Sequence, residues 1–277
     1  GELNSLYQAA KARFDEDEDF KTRARERVVA LQSGDAQTLG IWHDLVGQSQ
    51  GHFQAVYDRL GVLLTPEDVC GESFYNDQLP GVIEQLGQVG VLKESDGAQV
   101  VYPEGFFDRE DQPLGMIVQK SDGGYLYATT DIAAMQHRVN TLQANRVIYV
   151  TDARQSAHFQ MLFTLIQSIG WDGAGTVRLD HVPFGAMLGK DKKPFKTRSG
   201  ETVKLSLLID EAVTRASNTL KARDRGLSDQ AAQHIATAVG IGALKYADLA
   251  ENRVRDYVFD WDQMLALEGN TAPYLLN

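Results

Sequence analysis

The sequence predicts an α/β fold in which a parallel sheet is covered by helices. Two observations within residues 121–205 carry this. Apolar runs of strand length (GYLYAT, RVIYVTD and TVRLDHVPF) alternate with the helix-length segments DIAAMQHRVNTL and SAHFQMLFTLIQSIG. A β-α-β-α-β order of this kind feeds parallel strands, because each crossover needs a helix packed on the sheet. Polar residues also cluster where each apolar run gives way to a loop, in SDGGYLYATTDIAA, RVIYVTDARQSAHF and GAMLGKDKKPFKTRSG. Open parallel sheets bind ligands outside the carboxyl ends of their strands. The three segments together look like the second half of a nucleotide-binding α/β domain. Nothing before Ser121 looks like the first half.

The other elements follow in chain order. Residues 1–60 read as a helical segment. Leu6, Ala9, Ala10 and Phe14 recur at helical spacing, as do Val28, Val29 and Leu31 with Leu39, Trp42, Leu45 and Val46. The acidic run Asp15 to Asp19 suits a solvated helix start, where the helix dipole favours negative charge. Residues 61–120 read as an insertion with antiparallel strands. LPGVIEQLGQVGVL predicts a short helix stopped by a glycine, and turn signals at Asp96-Gly97 and Pro113 separate the strand-like runs. Residues 121–205 hold the half-domain. Residues 206–277 read as helical, with apolar faces in LSLLIDEAVTRASNTLKAR and DQAAQHIATAVGIGALKYADL. The chain stops in the apolar Tyr274-Leu275-Leu276 without a polar tail, which predicts a fragment.

Composition narrows the function classes. Hydrophobic residues make up 43% of 277, enough for a substantial core, and the net charge is −11. A general nucleic-acid binder is usually basic, so any such role must lie in a local patch. Lys190, Lys192, Lys193, Lys196 and Arg198 form one. The single cysteine, Cys70, cannot form an internal disulfide or make a metal site alone, and is expected to be a half-buried thiol. No 18-residue apolar run and no signal peptide is present, so membrane and export readings have no support and a reducing cytoplasmic location is expected.

Three groups of residues could carry chemistry. Tyr127 and Asp131 lie four apart, across an expected strand end and helix start. Asp131 reads either as a helix cap, with Thr129 and Thr130 as alternative caps, or as a carboxylate that recognises a cation beside the Tyr127 ring. Asp152, Arg154, Gln155 and His158 follow the second strand. Asp152 as a cap with a surface His158 is one reading. The other has Gln155 bonding a polar substrate while His158 and Phe159 border a nucleobase. The basic loop GKDKKPFKTRSG is either a solvated surface loop or a set of cations that neutralise a polyphosphate. GxxxxGK[ST], GxGxxG and HxxxH are all absent, which disfavours P-loop and dinucleotide enzymes and any metal site.

GGYLYATTDIAA, the DARQ..HF run and FGAMLGKDKKPFKTRSGETVKL together resemble the catalytic domain of arginyl-tRNA synthetases, which are class I aminoacyl-tRNA synthetases. The likeness continues through AVGIGALKYADLAENRVRDYVFDWDQMLALEGNTAPYLL and back through FDEDEDF, LQSGD and YDRLGV, so it covers essentially the whole chain. It implies the second half of a Rossmann-like class I fold, followed by the start of a helical domain. It implies L-arginine at Tyr127, Asp131 and Gln155, and ATP at His158, Phe159, Met187 and Lys196. Pro194 to Arg198 takes the place of the family's Lys-Met-Ser-Lys-Ser loop, so Lys193, Lys196 and Arg198 are the expected catalytic cations. Asn270 and Tyr274 fall in the region that touches tRNA(Arg).

The resemblance further implies ATP with Mg2+ as substrate, no tightly bound cofactor and a monomeric full-length enzyme. The His-Ile-Gly-His-like motif of class I enzymes does not occur in this sequence. Two expectations follow: a parent arginine–tRNA ligase, and an isolated chain that is inactive or serves only as a binding or folding fragment. Uncovered strand edges and apolar surface predict that such a fragment self-associates.

Overall fold

The computed structural model describes residues 2–32, 34–189, 192–193, 204–222, 226–264, 266 and 271–275. They fall into two compact units, Gly1–Val69 and Cys70–Asn277.

The first unit is helical: α1 (Glu2–Glu16), α2 (Glu18–Gln32) and α3 (Ala36–Leu60). The acidic run acts at helix boundaries. Asp17 Oδ1 accepts from the Phe20 amide at 2.9 Å, and Arg13 donates to the same carboxylate across one turn. Asp35 caps α3 by accepting from the Thr38 amide at 2.8 Å, and Gly61 ends it in the left-handed region at φ 63°. The apolar stripes expected to face a core do not close on one another. Leu6, Val28 and Val29 are more than half exposed.

The second unit carries the core. Helix α4 (Leu79–Val89) starts with a proline in its first turn and stops at Gly90, φ 82°, where the sequence places its glycine stop. Strands β1 (Leu92–Ser95), β2 (Ala98–Val101) and β3 (Met116–Gln119) form an antiparallel sheet in that order. Asp96 (φ 51°) and Gly97 (φ 76°) make the β1–β2 turn, and two left-handed residues match the twist of a tight hairpin. Cys70 is exposed rather than half-buried.

GYLYAT is not a strand. After β3 the chain reverses through Gly123 (φ 83°), with the Lys120 amide donating to Gly124 O at 2.8 Å, and Tyr125 bridges back to Gln119. Helix α5 (Tyr127–Gln136) then begins, inside the expected strand. The tight turn spends the residues that a third parallel strand would need. The small, buried Ala128, Thr129, Ala133 and Ala134 let the helix be enclosed. A π-helical turn, His137–Thr141, prolongs α5.

Strand β4 (Arg146–Asp152), helix α6 (Ser156–Ser168) and strand β5 (Arg178–Phe184) follow as expected. The parallel register runs from Arg146↔Arg178 to Asp152↔Phe184. Among the described residues this parallel sheet therefore has two strands, not three. Val147 and Tyr149 of β4 point into one core with Ile132 and Met135 of α5, Leu162 and Ile166 of α6, Val82 and Leu86 of α4, and Val118 of β3. Beyond β5, β6 (Met187–Leu188) pairs in parallel with β7 (Tyr257–Val258).

Between β6 and β7 in sequence, α7 (Leu205–Lys221) packs on α8 (Asp229–Leu249), whose start Ser228 caps by accepting from the Ala231 amide. Two short helices, α9 (Trp261–Met264) and α10 (Ala272–Leu275), complete the described chain. No helix among the described residues is long and apolar enough to cross a membrane.

Two positions test this packing. At Gly240 a Cβ would lie 2.8 Å from the backbone of Ala212 and Val213. Gly240→Ala should lower stability by about 1–3 kcal/mol in urea denaturation, despite alanine's better helix propensity. The fully buried Thr129 hydroxyl donates to the Val118 carbonyl and so fastens α5 to β3. Thr129→Val keeps the shape but strands that carbonyl, and should cost about 1–3 kcal/mol in the same measurement.

Candidate active site

The site is built on α5 and α6. Because α5 starts at Tyr127, Asp131 is one turn inside the helix and is not its cap. Thr129 is not a cap either, since its hydroxyl is used on β3. The Asp131 carboxylate is therefore not spent on backbone amides. Its Oδ2 lies 2.7 Å from His158 Nε2, in the first turn of α6. The two side chains keep 27% and 16% of their exposure, so the pair is sheltered but reachable. Tyr127, one helical turn before Asp131, sets its ring edge-on to His158 at 4.9 Å and is itself exposed.

An aromatic layer backs the pair. Phe159, 3% exposed, packs on Tyr149 with centroids 4.5 Å apart and on His181 at 5.0 Å. Arg138, in the π turn, donates to the Tyr149 hydroxyl at 2.6 Å and stacks its guanidinium over the same ring at 4.8 Å. Burial pushes the Tyr149 hydroxyl pKa well up. Arg138 works against that rise, and the Asp131 charge adds to it. Tyr75 is raised for the same first reason. Burial also lowers His181, whose Nε2 is 2.9 Å from the Thr151 hydroxyl.

The other expected residues are placed less closely. Asp152 accepts from the Arg154 amide at 2.8 Å and, with its two oxygens, from Nε and Nη2 of the Arg154 guanidinium. The Arg154 side chain first, and its amide second, hold the Asp152 pKa down to about 2. Asp152 is thus a turn cap, one of the two readings open from sequence. Gln155 is exposed on the single 3-10 turn that leads into α6. Met187 is half-buried on β6, and Lys193 is exposed beyond it, its carbonyl accepting from the Gly189 amide at 2.8 Å. Tyr274 is exposed on α10. Lys190, Lys196, Arg198 and Asn270 lie outside the described residues.

The structure therefore joins Tyr127, Asp131 and His158 into one cluster. Its available chemistry is electrostatic: a half-open carboxylate beside a flat phenol suits a planar cation. Arg138, Tyr149 and His181 behind it were not singled out from sequence. The alternation of β4, with Val147 and Tyr149 on the buried face, was the available signal for Tyr149. Among the described residues no group of three or more His, Cys, Asp or Glu side chains is placed to hold a metal.

Comparison with known proteins identifies the family. The family model for tRNA synthetases class I (R), catalytic domain, matches residues 1–261. The arginine–tRNA ligase of Chromobacterium violaceum is 52% identical over 274 residues, 99% of this chain and 48% of the relative. That of Idiomarina loihiensis is 51% identical over 99% of this chain and 47% of its own length. The chain thus spans about half the length of these curated relatives. Among solved structures, arginyl-tRNA synthetase from Plasmodium falciparum superposes with a TM-score of 0.79 at 31% identity, covering 95% of this chain and 45% of that one. The Thermus thermophilus arginyl-tRNA synthetase gives 0.71 at 18% identity over 95% of this chain and 48% of its own, a likeness of fold alone. With a family model over nearly the whole length and relatives at half identity, the chain belongs to the class I arginyl-tRNA synthetase family.

Proposed function

We propose that this chain forms the arginine-recognising wall, and part of the ATP-facing wall, of an arginine–tRNA ligase. The observation that carries the reading is the Asp131 carboxylate, sheltered but open, beside Tyr127. Asp131 binds the arginine guanidinium, Tyr127 supplies a hydroxyl and a flat wall, and Gln155 completes the hydrogen bonds. His158 and Phe159 stand where this side meets the ATP side, with Met187 on the adenosine border. β4, α6 and β5 form the second half of a Rossmann-like fold. Residues 61–120 are an insertion, and residues 206–277 lead toward a tRNA-binding region that includes Asn270 and Tyr274.

In the complete enzyme an arginine carboxylate oxygen attacks the α-phosphorus of ATP. The α–β phosphoanhydride bond breaks, giving arginyl-adenylate and pyrophosphate. A terminal ribose hydroxyl of tRNA(Arg) then attacks the arginyl carbonyl and releases AMP. No covalent enzyme intermediate is needed. Positioning and charge stabilisation supply the rate, with Lys193, Lys196 and Arg198 balancing the phosphates. Mg2+ enters on the ATP phosphates as part of the substrate. The described residues offer no cluster to hold it, and no step is assigned to it. The complete enzyme acts as a cytoplasmic monomer, and this chain alone, without a His-Ile-Gly-His-like motif, gives no exchange.

Losing a charged hydrogen-bond partner costs about 1.5–3 kcal/mol, or roughly 10–150-fold in affinity. In a protein extended to the full length of its relatives, Asp131→Asn should raise the arginine KM by about that factor in ATP–pyrophosphate exchange with tRNA present. The ATP KM should stay within about threefold. An unchanged arginine KM refutes the assignment.

A further inference from the structure

We propose that His158 is a positioning residue for arginine: it holds the Asp131 carboxylate for the guanidinium while neutral, and competes for that carboxylate once protonated. This rests on the arginine-site reading above and deepens it. An ionised carboxylate can only accept hydrogen bonds, so the proton between His158 Nε2 and Asp131 Oδ2, 2.7 Å apart, sits on Nε2. In the neutral tautomer Nδ1 is then bare and the pair keeps a full negative charge. Oδ1 and the free lone pair of Oδ2 remain for a planar donor. A second proton, on Nδ1, makes the pair an ion pair of net charge zero and sets a positive ring beside the arriving guanidinium.

The imidazole is also fixed in place. Tyr127 meets it edge-on at 4.9 Å and Phe159 at 5.0 Å, so the ring has little freedom to leave the carboxylate.

Among the described residues, no other group near the pair offers the same behaviour. Tyr127 lies on α5 with Asp131, and Tyr75 and Tyr149 on the 3-10 turn before α4 and on β4; as phenols they stay neutral across the histidine range. Arg138, in the π turn, stays charged throughout. At the entry to α6, Asp152 and Arg154 are bound to one another. His181 on β5 packs on Phe159, is bonded to Thr151, and is disfavoured as a cation by burial. Among the described residues, His158 is the imidazole that touches Asp131.

The test is arginine-dependent ATP–pyrophosphate exchange, with saturating tRNA, in the full-length protein from about pH 6 to 8.5, the range in which histidine titrates. For the wild type, the arginine KM should rise at least about fivefold toward the acid end, with the ATP KM changing far less. His158→Gln can still donate to Asp131 but cannot be protonated. Whatever its arginine KM at the alkaline end, that KM should stay flat toward acid, within about twofold. His158→Ala should raise the arginine KM at every pH.

A wild-type arginine KM that is flat with pH overturns the proposal and needs no variant to fold. So does a His158→Gln enzyme that keeps the wild-type pH slope. If Asp131→Asn raises the arginine KM in the same assay, those outcomes sink the role of His158 alone. If Asp131→Asn leaves it unchanged, the arginine-site reading itself has failed.

Discussion

The enclosure of α5 is the constraint on which the rest of the second unit depends. This helix is buried at Ala128, Thr129, Ile132, Ala133, Ala134 and Met135. A helix closed in on most of its surface needs small residues where backbones approach and a partner for every polar atom it buries. Three alanines meet the first need, and the Thr129 hydroxyl on the Val118 carbonyl meets the second while tying the helix to the antiparallel sheet. What remains open is the Tyr127 and Asp131 edge. The site is thus a polar margin of a largely apolar element, and its direction is set by core packing.

The same logic explains what could be read from sequence. The short apolar runs RVIYVTD and TVRLDHVPF lie between helix-length segments, and both become strands. The glycine stop of α4 and the Asp96-Gly97 hairpin were legible because each needs a left-handed backbone that few residues adopt. GYLYAT misled for the converse reason. Its aromatic and β-branched residues favour a strand locally, but tertiary burial of Ala128 and Thr129 makes a helix. With the helix starting at Tyr127, Asp131 moves from a helix start to a helix interior, and the capping alternative falls away.

The site was legible as residue types but not as partners. Tyr127 and Asp131 could be paired because four residues span one helical turn. His158 lies 27 residues from Asp131, beyond the reach of any periodicity, and it was expected on the nucleobase side. The exposed first-unit residues Leu6, Val28 and Val29 show a related limit. Their spacing reports an apolar helix face but not what lies against it.

The π turn at His137–Thr141 has a consequence for how this segment tolerates change in length. A π turn is an α-helix carrying one surplus residue. Such a helix can give that residue up and stay continuous, so the segment accepts a deletion where most buried helices would break. Continuity would survive but phase would not. Each residue turns the helix by about 100°, so a deletion between Gln136 and Leu142 would change which side chain meets β4. Arg138 would leave the Tyr149 ring only if the missing residue preceded it. Sequences one residue shorter here are therefore expected to keep the helix, and those that lose the residue ahead of Arg138 to lose the arginine–tyrosine stack behind the site.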